Sequence, residues 1–267
     1  MINPLDIQTL AVRFRTAEPF PHLVIDDFLA PEAAREAAAA YPTFEQARAQ
    51  GMMFNFVNEQ RKIQITDAAK FPEPIRRLNQ AISSPQFLAD LEAITGIPRL
   101  LADEQLSGGG MHLTGPGGRL DVHVDFNLIE DRRLFRRLNI LLYLNPVWQE
   151  EWGGQIELWD KEVRTCRRRC VPALNRCLIF ETSDVSYHGV ARVSAPPEMV
   201  RQSFAAYYYT REAPPTWNGT SHSTVFRARP DERLRALVSM PAERLRRRLA
   251  DQVQRSKQRV KSWIGLG

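Results

Sequence analysis

Cysteine is scarce in this chain, which has three among 267 residues, Cys166, Cys170 and Cys177. An odd number, with no N-terminal apolar stretch of signal-peptide length, argues against a disulfide framework and for reduced thiols in a cytoplasmic protein. Cys166 and Cys170 have no second Cys or His pair at matching spacing, so a zinc knuckle is not expected. No hydrophobic run approaches the ~20 residues needed to cross a bilayer. Internal repeats and low-complexity segments are absent, and so are an aromatic-rich RNA motif and a helix-turn-helix pattern, which argues against a nucleic-acid partner. What remains is ordinary globular material, 43% hydrophobic and 25% charged, with a net charge of +5.

Three regions follow one another. Residues 1–100 carry a first strand in Pro19–Leu29, then helices over 31–40, 74–82 and 85–94, each opened by a proline that suits the first helical turn. From 101 to 212 the pattern changes to short apolar strands separated by Gly, Pro and Asn, the reading for a jelly-roll or cupin-like barrel. Pro214-Pro215 ends the last of these strands. Residues 213–267 then read as a basic helical extension within one folded domain. In it Leu245, Leu249 and Val253 stand at i, i+4 and i+8, and Trp263 lies near the end. The expected fold is mainly β, a double-stranded β-helix core flanked by N-terminal helices.

Within the barrel region, His123-Val124-Asp125 lies in a strand-like stretch. Residues i and i+2 of a strand point to one side, so the imidazole and the carboxylate aim at one point, with Cα atoms roughly 6–7 Å apart. A second imidazole from a distant strand, His188, completes two His and one carboxylate on one face of a metal, the pattern of non-haem Fe(II) oxygenases. Thirteen positions after His188, Arg201 opens a strand on which Ser203, Ala205 and Tyr207 share its face. An Arg and a Ser aimed together into a barrel interior need an anion, because an unpaired buried guanidinium is costly.

These residues resemble the iron and co-substrate set of the Fe(II)/2-oxoglutarate-dependent dioxygenases, and the prolyl 4-hydroxylase-like branch in particular. Arg137–Asn145 is similar to that branch's Tyr-Leu-Asn strand, and Trp152–Leu158 to its Gly-Gly strand; Pro19–Leu29 resembles the first strand of bacterial members. The likeness runs over about residues 19–212. It implies Fe(II) held by His123, Asp125 and His188. It also implies 2-oxoglutarate held by Arg201, Ser203 and Tyr143, O2 as second co-substrate, and ascorbate as a further candidate. The implied reaction is hydroxylation of an unactivated C–H bond coupled to decarboxylation of 2-oxoglutarate to succinate and CO2. The chain departs from the branch at Leu113, where some prolyl hydroxylases carry a tyrosine; His112 beside it is the candidate replacement.

Substrate contacts are expected from loops, where a rigid scaffold carries its binding residues. Gly108–His112 and Thr114–Arg119 read as turns leading to the metal-bearing strand. Glu130–Arg137 reads as a basic loop at the barrel mouth. Arg119, Asn127, Arg132 and Arg133 are the substrate-binding candidates; the expected substrate is a small or anionic molecule or a saccharide, the arginines being suited to attract an anion. Peptidyl proline is the alternative. A cupin-like metal protein without oxygenase activity would not need Arg201 and Ser203, and a halogenase would lack Asp125. The basic tail reads as a helix docked on the barrel or as a contact with anionic membrane, which would place the protein at the inner membrane surface.

Overall fold

The computed structural model describes residues 1–232 together with Leu237 and Met240. The basic tail helix read over 241–253, and Trp263 with it, lie outside the described residues.

The first hundred residues form α1 (Ile7–Thr16), β1 (His22–Ile25), α2 (Pro31–Ala39), α3 (Phe44–Gln50), β2 (Met52–Phe54), β3 (Glu59–Ile65), α4 (Glu73–Ile82) and α5 (Pro85–Thr95). Proline at the first turn starts α2, α4 and α5, as the sequence suggests. In α4 the buried residues are Ile75, Leu78 and Ile82, spaced for one helical stripe. The sequence reading did not draw α1 and α3. Both carry start signals: Asp6 accepts from the Thr9 N–H, and Thr43 and Gln46 form a reciprocal capping box.

The barrel follows as β4 (Leu101–Ala102), β5 (Gly110–Val124), β6 (Leu128–Ile129), β7 (Leu134–Tyr143), β8 (Ile156–Trp159), β9 (Cys166–Cys170), β10 (Cys177–Glu181), β11 (His188–Val190), β12 (Arg201–Thr210) and β13 (Val225–Arg227). The antiparallel order β1-β10-β7-β12-β5-β11-β8-β9 curls into a nearly closed jelly roll. The 15-residue β5 ties its halves together. Its first part pairs β12 from Gly110↔Ala205 to Thr114↔Arg201, and its last part pairs β11 and β13.

Alternation on two strands separates core from cavity. Leu138, Ile140 and Leu142 of β7 and Phe204, Ala206 and Tyr208 of β12 pack against the helices. Each large apolar side chain buried there contributes on the order of 1.5–3 kcal/mol. The opposite faces present Asn139 and Leu141, and Arg201, Ser203 and Tyr207, to the barrel interior.

Three expectations are corrected here. The glycine-rich run before His123 is not a pair of turns: only Gly108-Gly109 is outside strand, and Gly110–Arg119 belongs to β5. Gly115, Gly117 and Gly118 lie in a bulge, since the β3 register jumps from Lys62↔Thr114 to Gln60↔Arg119. The basic loop shrinks to a turn, because β7 starts at Leu134 and buries Arg136 and Arg137 at 4% and 7% exposure. Finally, the chain after Pro215 returns to the barrel: β13 pairs β5 at Phe226↔His123.

Candidate active site

His123 and His188 face each other as a cross-strand pair between β5 and β11, in the register His188↔His123. Directly opposed residues of antiparallel strands bring their side chains together, and here the ring centroids are 4.3 Å apart. Asp125 lies one residue beyond the end of β5. Its Oδ1 is 3.5 Å from His123 Nε2 and its Oδ2 is 3.5 Å from His188 Nε2. Two ligands at right angles on one ion, each about 2.1 Å from it, stand about 3 Å apart, so this spacing suits a common metal. One ligand atom from each of the three lies within 4.8 Å of the others, the sole such group among the described residues.

The backbone fixes both imidazoles. His123 Nδ1 donates to the Asp121 carbonyl at 2.9 Å, and His188 Nδ1 donates to the Ser186 carbonyl at 3.0 Å. Each Nε2 then offers its lone pair to the centre. Burial, helped by the facing His123, pushes His188 down to about 3, so it is neutral and able to ligate. Burial alone would raise the Asp125 carboxyl, but the Arg136 guanidinium and then the two imidazoles hold it well below the usual carboxylate range.

Arg136 and Asn139 were not singled out by sequence. Asn139 Nδ2 donates to Asp125 Oδ2 at 2.8 Å, and Arg136 Nη2 lies 3.2 Å from the same oxygen. Arg136 also donates through Nε to Asn139 Oδ1 at 2.9 Å and stacks on Tyr207 at 3.6 Å. Plain alternation would put Arg136 on the apolar face of β7. The pairs Tyr208↔Leu138 and Tyr209↔Arg136 show one extra residue, Arg137, and this bulge turns Arg136 to the cavity. No sequence signal marks that bulge.

Deeper in the cavity, Arg201 is 4% exposed. Its Nε donates to the Gly154 carbonyl at 2.7 Å, Nη1 reaches Ser203 Oγ at 3.4 Å, and its guanidinium carbon lies 5.0 Å from the Tyr143 ring centre. Gly154 takes a φ of +69°, and a Cβ there would come within 3.1 Å of Arg201 Cδ, so only glycine admits this approach. Among the described residues no carboxylate pairs with Arg201, and burial pulls its pKa below the ordinary value. The Tyr143 hydroxyl is buried beside the Arg201 guanidinium, and the Tyr41 hydroxyl, which acts on the same cation, is buried without a hydrogen-bond partner. A buried cation with hydroxyl donors beside it suits a carboxylate-bearing ligand. Tyr41 was missed because it sits in the link between α2 and α3, far from any motif.

Both groups open on one cavity of about 290 Å³. His112 lines it and Leu113 is fully buried in the core, so the departure from the tyrosine pattern leaves the imidazole facing the cavity. Its Nε2 hydrogen-bonds the Gly108 carbonyl at 3.0 Å. Phe126, Tyr207, Thr224 and Phe226 complete the outer wall. Of the four substrate candidates only Arg119 lines the cavity, and it is engaged by Asp121 and Glu232. Arg132 pairs with Asp103 at 3.1 Å, and Arg133 is exposed in the turn. Asn127 instead braces the returning chain, donating to the Thr220 carbonyl and accepting from the His222 N–H. A basic loop drawing in an anion is therefore not what lines this site.

A jelly-roll barrel with a His–Asp–His group facing its cavity is the arrangement that suits a non-haem Fe(II) oxygenase site. Residues 109–209 match the 2OG-Fe(II) oxygenase superfamily. Those residues, less than half of the chain, are similar to that superfamily's oxygenase domain, whose name specifies Fe(II) and 2-oxoglutarate. The prolyl 3-hydroxylase OGFOD1 of Mus musculus is 33% identical over 88 residues, 31% of this chain and 16% of that protein. The matched part is thus a small fraction of that relative's length. A Pseudomonas putida prolyl-4-hydroxylase superposes with a TM-score of 0.52 at 17% identity, covering 75% of this chain and 98% of that one. HygX from Streptomyces hygroscopicus, with nickel and 2-oxoglutarate bound, superposes with a TM-score of 0.50 at 15% identity, covering 77% and 87%. At these identities the structural likeness concerns the fold.

Proposed function

We propose that the protein is a hydroxylase whose iron is held by His123, Asp125 and His188 and whose 2-oxoglutarate carboxylate is clamped by Arg201 with Ser203 and Tyr143. The observation that carries this is the meeting, in one cavity, of an imidazole pair and a carboxylate with an uncompensated guanidinium. When bound, iron and 2-oxoglutarate supply the oxidising chemistry, and the co-substrate leaves as succinate and CO2. The chain orients and shields. Asp121 and Ser186 carbonyls fix the imidazoles, Asn139 and Arg136 hold the carboxylate, and Phe126 and Phe226 keep water from the outer cavity.

The substrate group entering this cavity is neutral and about the size of one residue. Apart from the co-substrate clamp, the charged side chains lining it are matched: Lys62 with Glu59 at 2.8 Å, Arg119 with Asp121, and Arg136 with Asp125 at 3.2 Å. That supports an uncharged ring or aliphatic group of a small molecule or saccharide. A prolyl residue of a peptide is the second reading, favoured by the identity shared with a prolyl 3-hydroxylase. The test is incubation with Fe(II), 2-oxoglutarate and O2 against a panel of proline-containing peptides, neutral metabolites and anionic metabolites. The expected outcome is a mass gain of one oxygen with succinate formed in step. Turnover confined to anionic substrates would overturn the neutral-group reading.

A further inference from the structure

Beyond β13, the segment after Pro215 meets the metal-bearing strands again through the side chain of Arg229. Between β5 and β11 the pairing runs His188↔His123 and then Val190↔Leu120, so the ladder changes register immediately beside the imidazoles. A bulge of this kind leaves carbonyls without their regular donors. Arg229 Nη2 donates to two of them, Leu120 O at 3.2 Å and Val190 O at 3.1 Å. Its Nε holds Glu157 Oε2 at 2.8 Å, and Glu157 lies on β8 in the pair Gly189↔Glu157. Nη1 lies 3.6 Å from Asp121, whose carbonyl fixes His123. Room for this guanidinium exists because residue 189 is glycine, where a Cβ would come within 3.2 Å of Nη2.

We propose that Arg229 is a positioning residue for the metal centre, locking β11 to β5 and β8 at the register change so that His188 stays opposite His123. A slip of one residue would send the His188 side chain to the other face of the sheet. The rigid fork suits the task, since one guanidinium serves three strands and a lysine cannot.

The inference rests on the His–Asp–His reading, so one titration tests both. Co(II) binding is followed by visible absorption in the wild type and in four variants: His188→Ala, Arg229→Met, Arg229→Lys and the double variant Arg229→Met/Glu157→Gln. The double variant removes the carboxylate that the single change would deprive of its nearest cation, which keeps a folded sample in hand, checked by circular dichroism. Arg229→Met and the double variant are expected to bind Co(II) about tenfold to a hundredfold more weakly with an altered spectrum, as loss of outer-shell support commonly does. Arg229→Lys recovers part of the affinity. Wild-type affinity and spectrum in the folded double variant would overturn the proposal while leaving the metal centre standing. Undiminished binding by His188→Ala would remove the metal centre and this proposal with it.

Discussion

His188 is the ligand candidate with no sequence neighbour in the group, so its loss is the sharpest single-residue test of the centre. His188→Ala leaves two ligands in competition with water, and iron affinity measured by equilibrium dialysis is expected to fall by at least an order of magnitude. For Arg201→Lys the charge stays but the two-pronged geometry goes, so 2-oxoglutarate binding should weaken while iron binding holds. Isothermal titration with iron fixed separates the two, and an unchanged 2-oxoglutarate affinity would assign the guanidinium another task. Arg136 tests the corrected placement. As a surface-loop residue its change to Leu would alter stability by less than about 0.5 kcal/mol. As the 3%-exposed partner of Asp125, 3.2 Å away, its loss should cost about 3–5 kcal/mol in a urea melt.

At the scale of elements, alternation made much of the site legible. On β12 the period of two placed Arg201, Ser203 and Tyr207 on one face, and on β7 it separated Asn139 and Leu141 from the apolar Leu138, Ile140 and Leu142. The helices opened by Pro31 and Pro85 were equally plain. What escaped were the places where a bulge breaks the count. The extra residue in β7 turned Arg136 inward, and the glycine-rich bulge of β5 read as turns because glycine and proline mark both. The three-residue β13 was invisible for another reason: Val225-Phe226-Arg227 is too short to carry a period. Yet Phe226 packs on His123 with ring centroids 5.3 Å apart and lines the cavity. Phe226→Ala should therefore lower stability by about 3–5 kcal/mol at most and open the outer cavity, raising turnover of 2-oxoglutarate uncoupled from substrate. Coupling equal to the wild type's would contradict its shielding role.

Across the whole molecule, buried imidazoles set the response to acid. His22, His112 and His188 all have pKa values below the free value of 6.5, burial being the first cause in each. The unfolded chain then binds more protons than the folded one as pH drops through that value, so stability of the metal-free protein falls on acidification. Thermal melts from about pH 7 to about pH 5 should show a declining Tm, with a smaller decline in His112→Gln. A flat profile would mean that the imidazoles take up protons without cost. The central claim is that one cavity joins an iron centre at His123, Asp125 and His188 to a 2-oxoglutarate clamp at Arg201. Its most direct test is succinate formation from 2-oxoglutarate with Fe(II) and O2 supplied, compared between the wild type, His188→Ala and Arg201→Lys. The account predicts iron- and O2-dependent succinate from the wild type, almost none from His188→Ala, and recovery of Arg201→Lys only at raised 2-oxoglutarate. Equal succinate from all three, or none from the wild type with iron bound, would contradict it.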